Sequence, residues 1–483
     1  MRQRFAIQPG LDLTPIEKII LPLRSRDELP PILAGLQWVF THPELNEQVF
    51  ALLEKKILGD KKATGRTGMD LWQILVLGVV RLGLDANYDR LEHMANYDTL
   101  LRQMLGVAQS PWGAAAKIFN HQTLRDNVAL VDEALLQEIN ALVAAQGRTV
   151  FKKKESVLSE PLVLKTDSYV LETDVHFPTD LNLLWDAGRK CVALIEKYRT
   201  DYGLAGWRKV KDWRRRLKGL ERRASRTAFG GGKDKDKRLP VIVEGYLQVA
   251  RELSAKVSAS LLELYGQEVQ KDSLEYFHAM LDKHIELVDR RLVRGERIPS
   301  GEKVYSLFEP HTEWISKGKS HPNVELGHRL LVTTDQHQLI EDYAVLVNEL
   351  DVNQSIGVAD RLLGRYGEGS IASLSFDKGF TRAEDRELLA LYIPQVVMPK
   401  RGKKSPAEAA AESDKKFVKL RRQHNAVESD INALEHHGLD RCLDVGLQGY
   451  ERYVGYGVLA YNLHVIGREL LARRRAQAER AAA

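Results

Sequence analysis

Cysteine is nearly absent from this chain, which has only Cys191 and Cys442 in 483 residues. This scarcity excludes a Cys-rich zinc site and allows at most one disulfide, as is typical of a reduced cytoplasmic protein. A long apolar run is missing too, because Arg81 interrupts the most apolar stretch, residues 71–84, and residues 1–15 hold no apolar core of signal-peptide length. We therefore expect a cytoplasmic protein with no export signal and no membrane span.

A large excess of charge of one sign is also missing. The 71 Lys and Arg are balanced by 66 Asp and Glu, which gives a formal net charge of +5 and a pI of about 8.9. Binding to nucleic acid would therefore require local clusters of cations. One basic tract lies between Trp207 and Arg223, and its candidate DNA-binding residues are Arg208, Lys209, Lys211, Arg214, Arg215, Arg216 and Lys218. Phosphate contacts from this tract would give salt-dependent affinity, although a plain solvated helix face has the same composition.

Apolar spacing divides the chain into helical and strand-forming parts. Steps of three and four residues predict helices over residues 1–150, arranged either as a plain bundle or so as to present a recognition helix to DNA. Strand signals begin at residue 161, and long amphipathic stretches predict a helical insertion over residues 181–300. After the insertion, the predicted order is strand, strand, helix, strand, helix, strand, helix. The predicted class is therefore α+β or α/β, with a mixed sheet interrupted by a helical insertion.

Three carboxylates occupy positions that suit a metal site. Asp167 follows the apolar run 161–166, and Asp377 follows IASLSF, which lacks alternation, as does a strand covered on both faces. Glu428 lies on a later helix, beside an apolar stripe. Hard divalent cations such as Mg²⁺ take oxygen ligands, and a pair of them can activate a water or hydroxyl and stabilise the leaving oxygen of a phosphodiester. We therefore interpret Asp167, Asp377 and Glu428 as candidate catalytic residues and metal ligands.

Each of these assignments has an ordinary alternative. Asp377 would also suit a turn, and Glu428 would also suit a solvated helix surface. Asp167 ends its apolar run, in contrast to the acidic residues that follow it in the chain, which are Glu172, Asp174 and Asp180. The sequence alone leaves both interpretations of each residue open.

At these residues the chain resembles the DDE transposases of bacterial insertion sequences. The similar segments are KTDSYVLETDVHFPTDLNLL around Asp167, DKGF at Asp377, and the stretch from Glu428 through GLQGYERYVGYGVLAYNLHVIG. Residues 64–106 also resemble the N-terminal region of that family, which implies binding to the ends of the insertion sequence. The family often has a Tyr, Arg, Glu, Lys series around its catalytic Glu, and the matching positions here are Arg421, His424, Glu428 and Glu435.

The resemblance implies a helical DNA-binding domain over residues 1–150 and a ribonuclease-H-like catalytic domain over 160–470, with the insertion 181–300 inside it. The basic residues 471–483 are predicted to form a disordered tail. Mg²⁺ or Mn²⁺ is the implied cofactor, and the implied reaction is cleavage at insertion-sequence ends followed by joining of the 3′ hydroxyls to target DNA. Double-stranded DNA and a second copy of the chain are the implied partners, in a bacterial cytoplasm at the nucleoid.

Two other functions stay open at this stage. A metal-dependent DNA nuclease without strand transfer would use the same carboxylates. A catalytically inactive, transposase-derived repressor would use the DNA-binding surface alone.

Overall fold

The computed structural model describes residues 2–5, 13–59, 68–109, 117–151, 160–231, 234–265, 271–316 and 323–482. The chain forms two compact units, the first from residues 1–174 and 315–483 and the second from residues 175–314. The second unit contains the predicted insertion. The predicted N-terminal domain does not stand apart, because it belongs to the first unit and shares one hydrophobic core with the sheet.

Before the sheet, the described residues form seven α-helices, which are α1 (Leu29–Thr41), α2 (Pro43–Ile57), α3 (Leu71–Gly83), α4 (Tyr88–Tyr97), α5 (Thr99–Met104), α6 (His121–Val128) and α7 (Glu133–Phe151). Polar side chains fix several of their starts. Asn87, Asp98 and Asn120 each accept a hydrogen bond from the backbone N–H three residues further on. These caps explain why helices this short have defined beginnings.

The sheet is mixed, and its strands are β1 (Leu162–Thr173), β2 (Glu313–Ser316), β3 (Val324–Thr334), β4 (Ile340–Leu346), β5 (Ile371–Phe376), β6 (Gln395–Val397) and β7 (Arg441–Cys442). β3 pairs antiparallel with β1 and with β4. β5 pairs parallel with β1 and with β6. β1 continues past Asp167, because residues 169–171 are buried and the pairing with β3 persists to Glu172. Asp167 therefore lies within a central strand and not at its end.

The second unit is helical and has its own core. Its helices are α8 (Asp180–Tyr202), α9 (Val210–Phe229), α10 (Lys235–Glu263) and α11 (Asp272–Val288). Their apolar stripes meet in one cluster that includes Leu184, Leu253 and Leu281. Cys191 is buried in this cluster, Cys442 is buried in the first unit, and the two form no disulfide with each other.

Six helices complete the first unit, namely α12 (Ser355–Tyr366), α13 (Ala383–Leu389), α14 (Pro406–Glu412), α15 (Lys415–His424), α16 (Ala426–Leu434) and α17 (Leu447–Ala482). The predicted disordered tail, residues 471–483, was wrong for its described part, which continues α17. Its composition of Ala, Arg, Gln and Glu favours helix, and Arg473 pairs with Glu469 at 2.6 Å across one turn. None of the helices in the described residues is both long enough and apolar enough to cross a membrane.

Helices α1 and α17 cross at very close range. A Cβ atom at Gly467 would lie 1.8 Å from the carbonyl oxygen of Pro31, and one at Gly35 would lie 2.2 Å from that of Leu463. Because glycine has no Cβ, the two backbones can touch at both points. This contact joins the first and last α-helices of the unit within one core.

Gly467→Ala should lower the free energy of unfolding by more than about 2 kcal/mol, because the added methyl overlaps a carbonyl oxygen and forces the helices apart. Gly364→Ala on α12 is the matched control, since nothing lies within 4 Å of the added atom. It should raise the free energy of unfolding by about 0.5–1 kcal/mol. Urea denaturation measures both variants, and equal changes in the two would contradict the close crossing.

Candidate functional site

Asp167 lies in the middle of the sheet, next to the end of a neighbouring strand. Thr166 pairs with Phe376, the last residue of β5, so Asp167 is adjacent to the point where Asp377 follows that strand. The Oδ1 atom of Asp167 accepts a hydrogen bond of 2.8 Å from the Ser168 N–H. The first two predicted carboxylates are thus brought together by the parallel pairing of β1 with β5.

The pKa of Asp167 indicates which other carboxylates approach it. Burial is the largest cause of a rise in this pKa from 3.8 to about 6, and the negative charges of Asp377, Asp351 and Glu428 raise it as well. All three predicted carboxylates therefore share one electrostatic environment. Asp351 belongs to the same environment, and the sequence analysis missed it.

Asp377 is held at the rim of the sheet by the turn that follows it. Lys378–Phe380 form a single 3-10 turn, in which the Phe380 N–H donates to the Asp377 carbonyl oxygen at 3.2 Å. The Phe380 side chain is buried, and its ring centroid lies 5.4 Å from that of Phe376. The aromatic residue of DKGF thus anchors the turn and leaves the Asp377 side chain exposed.

Glu428 lies on the exposed side of α16, which packs on β1 and β3 through Val427, Ile431 and Leu434. Its charge contributes to the raised pKa of Asp167. Glu435 follows α16 directly, and its charge acts on Tyr169. Burial and then the charge of Glu435 raise the pKa of Tyr169. Glu428 is therefore among the charges that act on Asp167.

Asp351 lies in the 3-10 turn after β4 and touches both parts of the site. The Ser168 hydroxyl donates to its Oδ1 at 2.8 Å, and the Nε of Arg329 lies 3.7 Å from its Oδ2. A Cβ atom at Gly379 would lie 3.9 Å from the Cβ of Asp351. Because Asp351 already has a cationic partner, we interpret it as a residue that positions β1 and the Asp377 turn.

Two basic residues near the carboxylates, His424 and Lys165, have buried side chains. The Nδ1 of His424 on α15 lies 3.0 Å from the hydroxyl of Ser375, two residues before Asp377 on β5. Burial lowers the pKa of His424, and the nearby charge of Asp377 opposes this effect. Burial likewise lowers the pKa of Lys165, opposed by the charge of Asp430. His424 is thus buried beside the strand that leads to Asp377.

The carboxylate site suits a hard divalent cation in chemistry and charge. Among the described residues, no Lys, Arg or His forms an ion pair with Asp167, Asp377 or Glu428. In the described residues, the oxygen atoms of these three carboxylates do not all lie within 4.8 Å of one another. A different trio in the first unit meets that condition. An all-oxygen set of uncompensated anions is the donor set that Mg²⁺ or Mn²⁺ prefers.

The predicted basic tract lies on α9 and immediately before it, in the second unit. Lys218 is half-buried and the other members are exposed. Three members are paired with carboxylates, at 2.8 Å for Arg215 with Asp212, 3.3 Å for Arg216 with Glu252 and 2.8 Å for Lys218 with Glu221. In the part of the chain that the structure describes, no ion pair is formed by Arg208, Lys209, Lys211 or Arg214.

The tryptophans of the tract face the protein interior. Trp207 is buried and donates its indole N–H to Ser260 Oγ at 2.7 Å. Trp213 packs against the same core, with its ring centroid 6.3 Å from that of Trp207. Both rings anchor the start of α9, so the tract offers exposed cations but no aromatic surface on which bases would stack.

Comparison with protein-family models, with curated proteins and with solved structures found no match.

Proposed function

We propose that the chain is a transposase of the DDE type, which cleaves DNA at insertion-sequence ends and joins the 3′ hydroxyls to target DNA with Mg²⁺ or Mn²⁺. The observation that carries the proposal is the convergence of carboxylates on Asp167. Burial and then the charges of Asp377 and Glu428 raise its pKa, and no described cation pairs with any of the three. Such a group of oxygen donors suits two-metal phosphoryl transfer.

The strand order supports a ribonuclease-H-like core. β4, β3 and β1 are antiparallel neighbours, and β5 and β6 extend the sheet in parallel from β1. α12 connects β4 to β5, α13 connects β5 to β6, and the helical unit is inserted after β1. This topology places Asp167, within β1, beside the end of β5, where Asp377 follows.

Asp167, Asp377 and Glu428 would hold the metal ions through their carboxylate oxygens. When bound, the ions polarise the phosphodiester and lower the pKa of the attacking water or 3′ hydroxyl. The Ser168 N–H fixes Oδ1 of Asp167, and the packing of Phe380 fixes the turn at Asp377, so two ligands are oriented by the fold itself. This chemistry needs no covalent protein nucleophile.

The purified protein should cut and join DNA that carries the natural flanks of its own coding sequence. In Mg²⁺, the expected products are 3′-hydroxyl ends at the borders and then junctions with an added target plasmid, both detected by sequencing. EDTA should abolish both products, because the carboxylates alone cannot activate a water. Since two ends must be paired, the active complex should contain two copies of the chain.

The other outcomes of this assay separate the competing functions. Cleavage without junctions would favour a metal-dependent nuclease. Binding to the flanks without cleavage would favour a repressor, and neither binding nor cleavage would contradict a role on DNA.

Replacing Lys209, Lys211 and Arg214 with Ala should weaken DNA binding uniformly across sequences. These cations have no described ion-pair partner, so each is available to displace counterions from DNA. The slope of log affinity against log salt concentration should flatten by about 0.9 for each phosphate that the variant no longer neutralises. Fluorescence anisotropy at several salt concentrations measures this slope.

A second triple variant provides the control for charge. Replacing Arg215, Arg216 and Lys218 removes the same number of cations, but each of these is already paired with a carboxylate. Its slope should change less than that of the first variant. Unchanged slopes in both variants would mean that α9 presents an ordinary solvated face.

A further inference from the structure

A second group of ligand-type side chains lies in the first unit, formed by residues from three separate segments. Glu28 immediately precedes α1, His437 lies in the turn after α16, and His464 lies in the middle of α17. One donor atom from each residue lies within 4.8 Å of the donor atoms of the other two. Two imidazoles and one carboxylate at this spacing form a common set of ligands for transition metals.

The orientation of His437 is already that of a metal ligand. Its Nδ1 lies 3.0 Å from the carbonyl oxygen of Gly83, and because a carbonyl only accepts, this nitrogen carries the proton. The Nε2 atom is therefore the one with a free lone pair. A histidine ligand typically has this second hydrogen bond from its other ring nitrogen to a carbonyl or carboxylate, which fixes the tautomer and the ring plane.

His464 contributes a buried nitrogen that faces the Glu28 carboxylate. Its side chain is 8 % exposed, and its Nε2 lies 2.5 Å from Oε2 of Glu28. Its ring centroid lies 5.0 Å from that of His437.

We propose that Glu28, His437 and His464 bind one divalent transition-metal ion of the Zn²⁺ type, through one oxygen and two nitrogen atoms. Mixed imidazole and carboxylate donors favour such an ion over Mg²⁺, which prefers oxygen ligands alone. The Glu28 side chain is 44 % exposed, so water can complete the coordination from that side. The bound ion joins the start of α1 and the middle of α17 to the turn that ends α16, the helix of Glu428.

Titration with Co²⁺ tests this site, because its visible absorption reports nitrogen coordination. The experiment uses the full chain without a histidine tag and with excess Mg²⁺ present to saturate the all-oxygen site. One equivalent of Co²⁺ should bind and be displaced by Zn²⁺. Glu28→Gln and His437→Gln should each weaken Co²⁺ binding by at least about 10-fold. Loss of an outer-shell partner already weakens metal binding by about this factor, and loss of a ligand should weaken it at least as much.

His436→Gln is the matched control, since this neighbouring histidine is exposed and lies outside the trio. It should bind Co²⁺ as the parent does. Zn²⁺ should also raise the melting temperature of the parent and of His436→Gln but not that of Glu28→Gln. If His437→Gln does not fold, the Glu28→Gln variant tests the proposal, because Glu28 is half-exposed. Absence of Co²⁺ binding by the parent, or full affinity in a folded Glu28→Gln or His437→Gln variant, would overturn the proposal.

Discussion

Asp377→Asn and Asp167→Asn should each reduce Mg²⁺-dependent DNA cleavage by at least about 100-fold while leaving DNA affinity in EDTA unchanged. The amide preserves the size of the side chain but removes an anionic metal ligand, and the charge stabilisation supplied by a catalytic metal amounts to several kcal/mol, at tenfold in rate for about 1.4 kcal/mol. Phosphate contacts lie elsewhere and should persist. Single-turnover cleavage and anisotropy measure the two quantities, and cleavage near the parental rate by either variant would refute its assignment.

The two variants should differ in stability, which separates a missing ligand from a damaged fold. The Asp377 side chain is exposed and has no described ion-pair partner, so Asp377→Asn should change the free energy of unfolding by less than about 0.5 kcal/mol. Asp167→Asn should instead stabilise the metal-free protein, because the folded state holds the charged Asp167 less favourably than the unfolded state does.

The direction of this stability change follows from the raised pKa of Asp167. A carboxyl whose pKa rises from 3.8 to about 6 on folding binds protons more tightly in the folded state, so the parent loses stability as pH rises through that window. The melting-temperature advantage of Asp167→Asn in EDTA should therefore grow from about pH 4 to about pH 6 and then level off. A constant advantage over this range would mean that Asp167 titrates normally.

Glu428→Gln should also abolish cleavage, whereas Glu435→Gln should retain activity within a few-fold of the parent. Glu428 lies in α16 and Glu435 directly follows that helix. The charge of Glu428 raises the pKa of Asp167, whereas the charge of Glu435 raises the pKa of Tyr169. Removing a metal ligand costs several kcal/mol in the transition state, whereas a surface Glu→Gln change costs well under about 1 kcal/mol in stability. The pair is well matched, since both changes remove one negative charge.

The reverse result would move the third ligand. Full activity in Glu428→Gln with loss in Glu435→Gln would show that the catalytic carboxylate lies two helical turns further along the chain. Loss in both variants, with normal melting temperatures, would assign both residues to the reaction.

Local sequence pattern was sufficient to place two of the candidate residues on their elements. Asp377 was predictable because an unbroken apolar run, a Gly turn and an anchoring aromatic residue are contiguous in the chain. Glu428 was predictable as a polar residue beside the stripe of α16. Asp167 was expected to end its apolar run, with residues 169–175 either extending that strand or beginning the next, because the polar residues Asp167 and Ser168 interrupt the pattern; the structure shows that the strand continues to Thr173.

Other features depend on contacts between distant segments and had no local signal. Asp351 follows Leu350 in an ordinary acidic turn, and only the fold brings it to Ser168. The boundary expected at residue 150 failed for the same reason, since α17 packs on both α1 and α7 and joins the N-terminal helices to the sheet. An amphipathic stripe predicts that a helix face is buried, but not which partner buries it.

Insertion of the second unit after β1 also determines the order in which partners leave the ribosome. Asp167 pairs with Val332, which lies 165 positions later in the chain. At about 5–20 residues per second, β1 waits on the order of 10–30 s for β3 to be synthesised. Residues 175–314 are contiguous and have their own core, so they can fold during this interval. Meanwhile β1 is an unpaired apolar strand, and slower translation after residue 174 should increase the fraction of nascent chains that aggregate.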